Sequence, residues 1–393
     1  MAYSMRCSPP TAQQTAFAGF DSLVHRCFSS FTGLHLTDEQ WQQATRGLRH
    51  AGLGLRSVHS HAPAAFLASL GGCAHKCQEL DPNYPTDLGT SPEACGAVAA
   101  FNAQLPQAAH VTLSAALGKR QADLSHLLDA AGWEAQLASS SAMAKAGLLS
   151  EAEPGGRAFL TALPAGRTRM EPAHFVSEVR ARLGVPDASH DAWCPRCDAV
   201  LDRHSVHASM CVAGGERNQR HNSLRDLVHG WAEKAGLQPE RERAGLLLPQ
   251  SPDDASSARR RPADLYLPSF HGRPTAFDFA VTAPQRLDVL VEAGRGGGSA
   301  ASAYADVKRR HLDTAKVCEQ HGVAFVPLVV ETSGAWAPEA SKILHQLSRA
   351  VTLRHGGFGP PLGGPTLLEE ASVLVRCWRA RATLRRRAEL EAS

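Results

Sequence analysis

Aromatic side chains make up only 6% of this 393-residue chain, with 4 Tyr and 6 Trp. Set beside abundant Ala, Gly and Arg, that scarcity points to a GC-rich genome and carries no functional information. No apolar run approaches the ~20 residues that cross a bilayer, so a membrane-embedded role is excluded and no membrane partner is expected. An excess of one charge is also missing. The formal net charge is +3, too small to mark a polyanion binder by total, so the placement of charge has to carry that argument. The first thirty residues hold Arg6, Arg26, several Ser and Asp21 as their one acid, but lack the apolar core of a secretory signal. Organelle import is therefore the lesser expectation. Ten cysteines in a chain with no secretory signal point to a reducing compartment, nuclear or cytoplasmic, and to metal ligation for those that cluster.

The length allows two or three domains with separate cores. Residues 1–176 read as mostly helical, with helices over 38–48 and 119–137 and Gly/Pro breaks at Gly71-Gly72, at 82–92 and at 154–156. Neither acid pairs nor glycine fingerprints occur there. Cys73-Ala74-His75-Lys76-Cys77 is spaced too tightly, with no second pair nearby, to be read as a metal site.

Residues 177–215 change character. Cys194-Pro195-Arg196-Cys197 is followed by His204, His207 and Cys211. A Cys-x-x-Cys turn lets two thiolates reach one ion from a single loop, and a His and a Cys on the next turn complete a tetrahedron, which suits a structural zinc. His207 lies four residues before Cys211, one helical turn, and is favoured over His204, which lies seven before it.

The segment 216–356 reads as helix, three strands, helix, strand, helix, with a final basic helix in 357–393. Its elements are a helix over 217–235, strands over 244–249, 263–268 and 276–281, a polar loop over 250–258, a helix over 304–320, a strand over 323–330 that Pro327 places at an edge or bulge, and helices over 338–355 and 366–390. That order predicts an α/β fold, helices flanking a mixed sheet. Two strands each carry a lone acid, Asp264 and Asp278, fourteen positions apart across a Gly/Pro loop that reads as a hairpin. An isolated carboxylate in a buried strand is costly unless a cation compensates it, and hard oxygen ligands suit magnesium. Lys308 on the following helix is placed to stabilise charge on phosphorus, and His311, one turn further, to assist. Glu233, Glu240 and Glu242 are candidates for a third carboxylate, with Glu233 ranked low. The runs Arg259-Arg260-Arg261 and Arg309-Arg310 are read as contacts to a nucleic-acid backbone. Each element alone fits a solvated strand face or an ordinary basic surface; their joint order is what points to phosphodiester hydrolysis.

These motifs resemble the C-terminal part of site-specific non-LTR retrotransposon polyproteins, where a CCHC zinc knuckle precedes a restriction-like endonuclease of the PD-(D/E)XK superfamily. Cys194, Cys197, His207 and Cys211 resemble the knuckle. Arg261-Pro262-Ala263-Asp264 is similar to the family's Arg-Pro-Asp motif with one inserted Ala, and Asp278 falls at the family's spacing. Residues 52–57 and 62–69 are similar to the segment after the polymerase palm, and 327–332 with Gly334-Ala335-Trp336 to the closing strand and turn. The family's lysine has moved from the second-acid strand to a following helix, which matches Ala280 after Asp278 and Lys308 downstream. The resemblance implies a magnesium-dependent endodeoxyribonuclease that nicks target DNA to prime reverse transcription, with DNA and the element's RNA as partners and a structural zinc. It covers most of the chain but not a polymerase core, so a severed portion, a decayed copy or a host gene derived from one is expected. Ala303-Tyr304-Ala305-Asp306-Val307 lacks the second Asp of a reverse-transcriptase turn. The competing expectations are a non-catalytic zinc-containing module that grips nucleic acid and a purely structural helical protein.

Overall fold

A computed structural model describes residues 2–85, 87–247, 261–357 and 365–392. The chain divides into two units, 1–139 and 140–393. The first is all helical: α1 Ala2–Cys7, α2 Gln14–Thr32, α3 Asp38–Thr45, α4 Val58–Leu80, α5 Pro92–Asn102, α6 Leu113–Leu117 and α7 Gln121–Ser139. Its core gathers Leu67 of α4, Phe101 of α5, Ala116 of α6 and Leu124 of α7. Gly71-Gly72 does not break a helix as expected. Both lie inside α4, and Gly71 serves a close approach: a Cβ there would stand 2.0 Å from the Leu117 carbonyl oxygen. Cys73 is exposed and His75 pairs with Glu79 on the same helix, so the stretch 73–77 is a helical segment of α4.

The second unit runs α8 Ala142–Ala152, α9 Pro154–Thr161, α10 Pro172–Arg182, β1 Ala192–Trp193, β2 Val200–Leu201, α11 Val206–Met210, α12 Glu216–Lys234, β3 Glu240–Arg241, β4 Leu265–Phe270, β5 Arg273–Thr282, α13 Leu290–Ala293, α14 Ser299–Arg310, α15 Thr314–Gln320, β6 Ala324–Glu331, α16 Pro338–Arg354 and α17 Leu367–Glu391. The expected boundary at 176 falls inside α10. Two further expectations move. The first sheet strand is β3, not 244–249, whose residues 244–247 form no strand and whose 248–249 lie outside the described residues. The polar loop over 250–258 also lies outside them. The helix expected over 304–320 is two helices, α14 and α15, separated by positive φ at Leu312 and Asp313.

The four-stranded sheet has the order β3-β4-β5-β6. The pairs β3-β4 and β4-β5 are antiparallel and β5-β6 is parallel, the α13–α15 segment making the crossover that a parallel pair requires. Pro327 sits on β6, the edge strand, where its missing N–H costs no ladder bond on the open side. Period-two alternation sends Leu265, Leu267, Phe277 and Phe279 to a core with Leu224 and Trp231 of α12, Leu344 of α16 and Leu368 of α17. Tyr266 and Ala276 face the other side, against Cys318 of α15 and Val323. The sheet is thus covered on both faces, the layered arrangement expected of the α/β class. Among the described residues no helix is long and apolar enough to cross a membrane.

Four ionised side chains are buried between α8, α10 and α17, and a fifth, Arg379, is partly so. Arg376 pairs with Glu151 and with Glu178 at 2.7 Å, Arg182 donates to Glu151 at 3.1 Å, and Arg379 reaches both glutamates. The Arg376 guanidinium also stacks 4.3 Å from the centre of the Phe159 ring on α9. Buried charges at this density hold only as a mutually paired set.

Candidate active site and metal centre

The two-residue strands β1 and β2 pair as a hairpin whose loop, 194–199, presents Cys194 and Cys197, and α11 presents His207 just before Cys211. Asp202 shapes the turn between them: its carboxylate accepts from the backbone N–H of His204 at 3.0 Å, Val206 at 3.1 Å and His207 at 2.8 Å. One ligand atom from each of Cys194, Cys197, His207 and Cys211 lies within 4.8 Å of the others. The Cys194–Cys211 and Cys197–Cys211 sulfur separations are 4.0 and 3.7 Å, and His207 Nε2 is 3.3 Å from Cys197 Sγ. Tetrahedral zinc with Zn–S bonds of about 2.3 Å spaces its sulfurs by roughly 3.8 Å, so the donor set fits a metal ion such as zinc. His204 is exposed and its Nε2 faces the Arg203 guanidinium at 3.3 Å. His207 is therefore the histidine of the cluster. Burial holds its imidazole below the ordinary histidine range, which favours the neutral form that ligates metal.

The knuckle is fastened from two sides. Arg220 of α12, buried and pushed down to about 10 by desolvation, donates to the Ser209 carbonyl at 2.8 Å. From α17, Arg386 donates to the Ala213 carbonyl at 2.7 Å and pairs with Glu216, while Arg387 donates to Ser205 Oγ and to the Asp202 carbonyl. The basic run near the C-terminus is a structural clamp.

Asp264 precedes β4 and Asp278 lies within β5. The register pairing Leu265 with Phe277 brings the two acids to the same end of the hairpin, and alternation sends them to the same face. Asp264 spans the backbone on both sides of Asp278, its N–H donating to the Phe277 carbonyl at 2.9 Å and its Oδ2 accepting from the Phe279 N–H at 2.7 Å. The Lys308 ammonium stands 3.1 and 3.3 Å from the two Asp278 oxygens. Asp278 Oδ2 is buried with no hydrogen bond of good geometry. Burial pushes the Asp278 carboxyl above the usual range, Lys308 works against that rise, and the neighbouring negative charge of Asp264 adds to it. Asp278 thus senses the charge of Asp264 while it pairs with an ammonium, a grouping of titratable side chains that marks a candidate site.

A residue missed by sequence completes the group. His221 Nε2 lies 3.3 Å from Asp264 Oδ1, and its imidazole is held above the ordinary range by that hydrogen bond and by the charges of both aspartates. A cleft of about 370 Å³ opens here, with His221, Arg217 and Asn218 on the α12 wall and Lys308 and Tyr304 on the α14 wall. A signal did exist: His221 continues the stripe of Leu224, Val228 and Trp231 toward the start of α12, a polar residue at a core-facing position.

The other expected members are not brought in. α14 ends at Arg310, so His311 leaves the helix with extended backbone and is exposed. Glu233 pairs with His229, Glu240 with Arg243, and Glu242 with Arg225 and Arg261. None supplies a third carboxylate, and among the described residues the acids form no three-ligand group like that of the knuckle. Arg309 is committed to Asp306 and Glu339, and Arg310 to the Asp306 carbonyl. Arg261 is exposed and Arg259 and Arg260 lie outside the described residues. Compared with protein-family models and with curated proteins, the chain matches none.

Proposed function

We propose that this chain is a magnesium-dependent DNA endonuclease of the retrotransposon restriction-like type, with zinc in its knuckle. The observation that carries the reading is the placement of Asp264, just before β4, beside Asp278 on β5, with Lys308 on the second acid. Asp264 and Asp278 would hold magnesium, whose chemistry in such sites is to polarise the phosphoryl oxygen and lower the pKa of a bound water. Lys308 would place its ammonium against the oxygens that gain charge as water attacks phosphorus and the P–O bond to the leaving strand breaks. The cleft beside these groups, lined by Lys308 and His221, would take the strand, and its α12 wall continues from the knuckle. In the setting of an element, the nick would supply the 3′ end that primes reverse transcription.

A second reading, a non-catalytic module that grips nucleic acid, has one observation in its favour. Both carboxylates already face positive or proton-bearing partners, as they would in a purely structural ion-pair network. Plasmid nicking in Mg²⁺ separates the two. Asp264→Ala and Asp278→Ala are expected to abolish cleavage and leave DNA affinity within about twofold, and Lys308→Ala to slow cleavage by roughly 10²-fold. Wild-type cleavage by both aspartate variants, or none by the wild type, sinks the endonuclease reading and leaves the gripping one.

A further inference from the structure

His221 has no place in the chemistry proposed so far, yet it touches Asp264. Its side chain is 34% exposed, and the exposed part lines the same cleft as Lys308. The arrangement is two-sided: α12 sets an imidazole N–H against one carboxylate and α14 sets an ammonium against the other. Asp264 does not depend on His221 for its orientation, because its second oxygen is fixed by the Phe279 amide. The stripe it continues packs as Leu224 and Val228, both fully buried, whereas His221 stands at the partly exposed end of that stripe. A hydrogen bond to a carboxylate places a hydrogen on Nε2, so the nitrogen that meets Asp264 is a donor.

We propose that His221 is a catalytic residue that donates a hydrogen bond from Nε2 to a non-bridging oxygen of the phosphodiester, across the cleft from Lys308. The inference rests on the endonuclease reading and deepens it. With the carboxylates committed to a cation, the two N–H donors that neutralise them are left for the substrate, one from each wall. The imidazole keeps its proton throughout; it supplies a contact that strengthens as charge grows on the phosphoryl oxygens. Arg217 and Asn218, exposed on the same wall, extend the donor surface along the strand.

Three variants and two readouts test this in the full-length protein. His221→Leu fills the stripe and removes the donor, His221→Gln keeps a donor of similar reach, and Asp264→Ala reports on the underlying reading. Single-turnover cleavage at saturating Mg²⁺ is expected to fall about 10²-fold in H221L and less than tenfold in H221Q, with the Mg²⁺ half-saturation point unchanged. Independently of turnover, the His221 imidazole ¹⁵N resonance, assigned by its loss in H221Q, is expected to shift when duplex DNA is added in Ca²⁺. Cleavage by H221L within twofold of wild type, or no DNA-induced shift, overturns the proposal. So does a defect that higher Mg²⁺ repairs, because His221 would then act through Asp264. If D264A cuts like wild type, the endonuclease reading itself has failed, an outcome distinct from a failure at His221 alone.

Discussion

Glu331 shows how a single carboxyl can couple stability to pH far from the cleft. It ends β6 at 1% exposure, accepts from Ser150 Oγ and from the Ala301 N–H at 3.3 Å, and among the described residues meets no cation close enough to pair with it. Burial pushes its carboxyl up to about 7 from an ordinary 4.5. The sign follows from proton counting. Between those two values the folded chain keeps the proton while the unfolded chain releases it, so stability is fully present below about 4.5, falls as pH rises through that window, and levels off above about 7. The loss is about 3 kcal/mol at most. Glu331→Gln, which cannot ionise, is expected to flatten the dependence of the urea midpoint on pH between 4.5 and 7; an unchanged slope would assign the pH dependence elsewhere. At this same scale the Asp264/Asp278 pair was legible in sequence, because a lone acid in an apolar strand stands out. Glu331 was not, because its burial is imposed by α8 and α14, which lie distant in sequence.

At the scale of elements, the run Arg385-Arg386-Arg387 is the instructive case. In sequence it looks like a patch for phosphates; in the fold all three side chains point to the knuckle and the start of α12. Arg386 is fully buried against Glu216, whereas Arg196–Glu389 is a largely exposed pair on the same surface. Arg386→Ala is expected to cost about 3 kcal/mol, the low end for breaking a buried pair, since Arg385 still reaches Glu216 at 2.5 Å. Arg196→Ala is expected to cost under about 1 kcal/mol. Equal shifts in urea denaturation would show that the clamp is no tighter than a surface contact. The knuckle's ligands were readable, His207 included, because a helical turn separates it from Cys211. Its anchorage was not, since charge runs carry no mark of whether their partners are phosphates or carboxylates.

For the whole molecule, the boundary between units decides which pieces fold. The buried network joins Glu151 of α8 to Glu178 and Arg182 of α10 and to Arg376 and Arg379 of α17, so residues 140–176 belong with the sheet. A fragment spanning 140–393 is expected to be soluble and cooperatively folded, as is 1–139. A fragment starting at 177 would lose Glu151 and the first turns of α10, leaving buried arginines short of a partner at a cost of about 3–5 kcal/mol. Circular dichroism melts and solubility of the three fragments check this; equal stability of 140–393 and 177–393 would refute it.

By itself the sequence determined the local matters: an α/β second half, the strands bearing Asp264 and Asp278, the Cys and His spacing of the knuckle, and Lys308 on the next helix. Each is written within one or two turns or one hairpin, where spacing and polarity set geometry directly. Tertiary structure alone decided what those groups meet. It brought His221 to Asp264 from another helix, left His311 exposed just past the end of α14, and engaged Arg309 and the C-terminal arginines with carboxylates and carbonyls of the fold. Such pairings depend on which distant surfaces pack together, and that is settled by the burial of whole faces, which no short window of residues encodes.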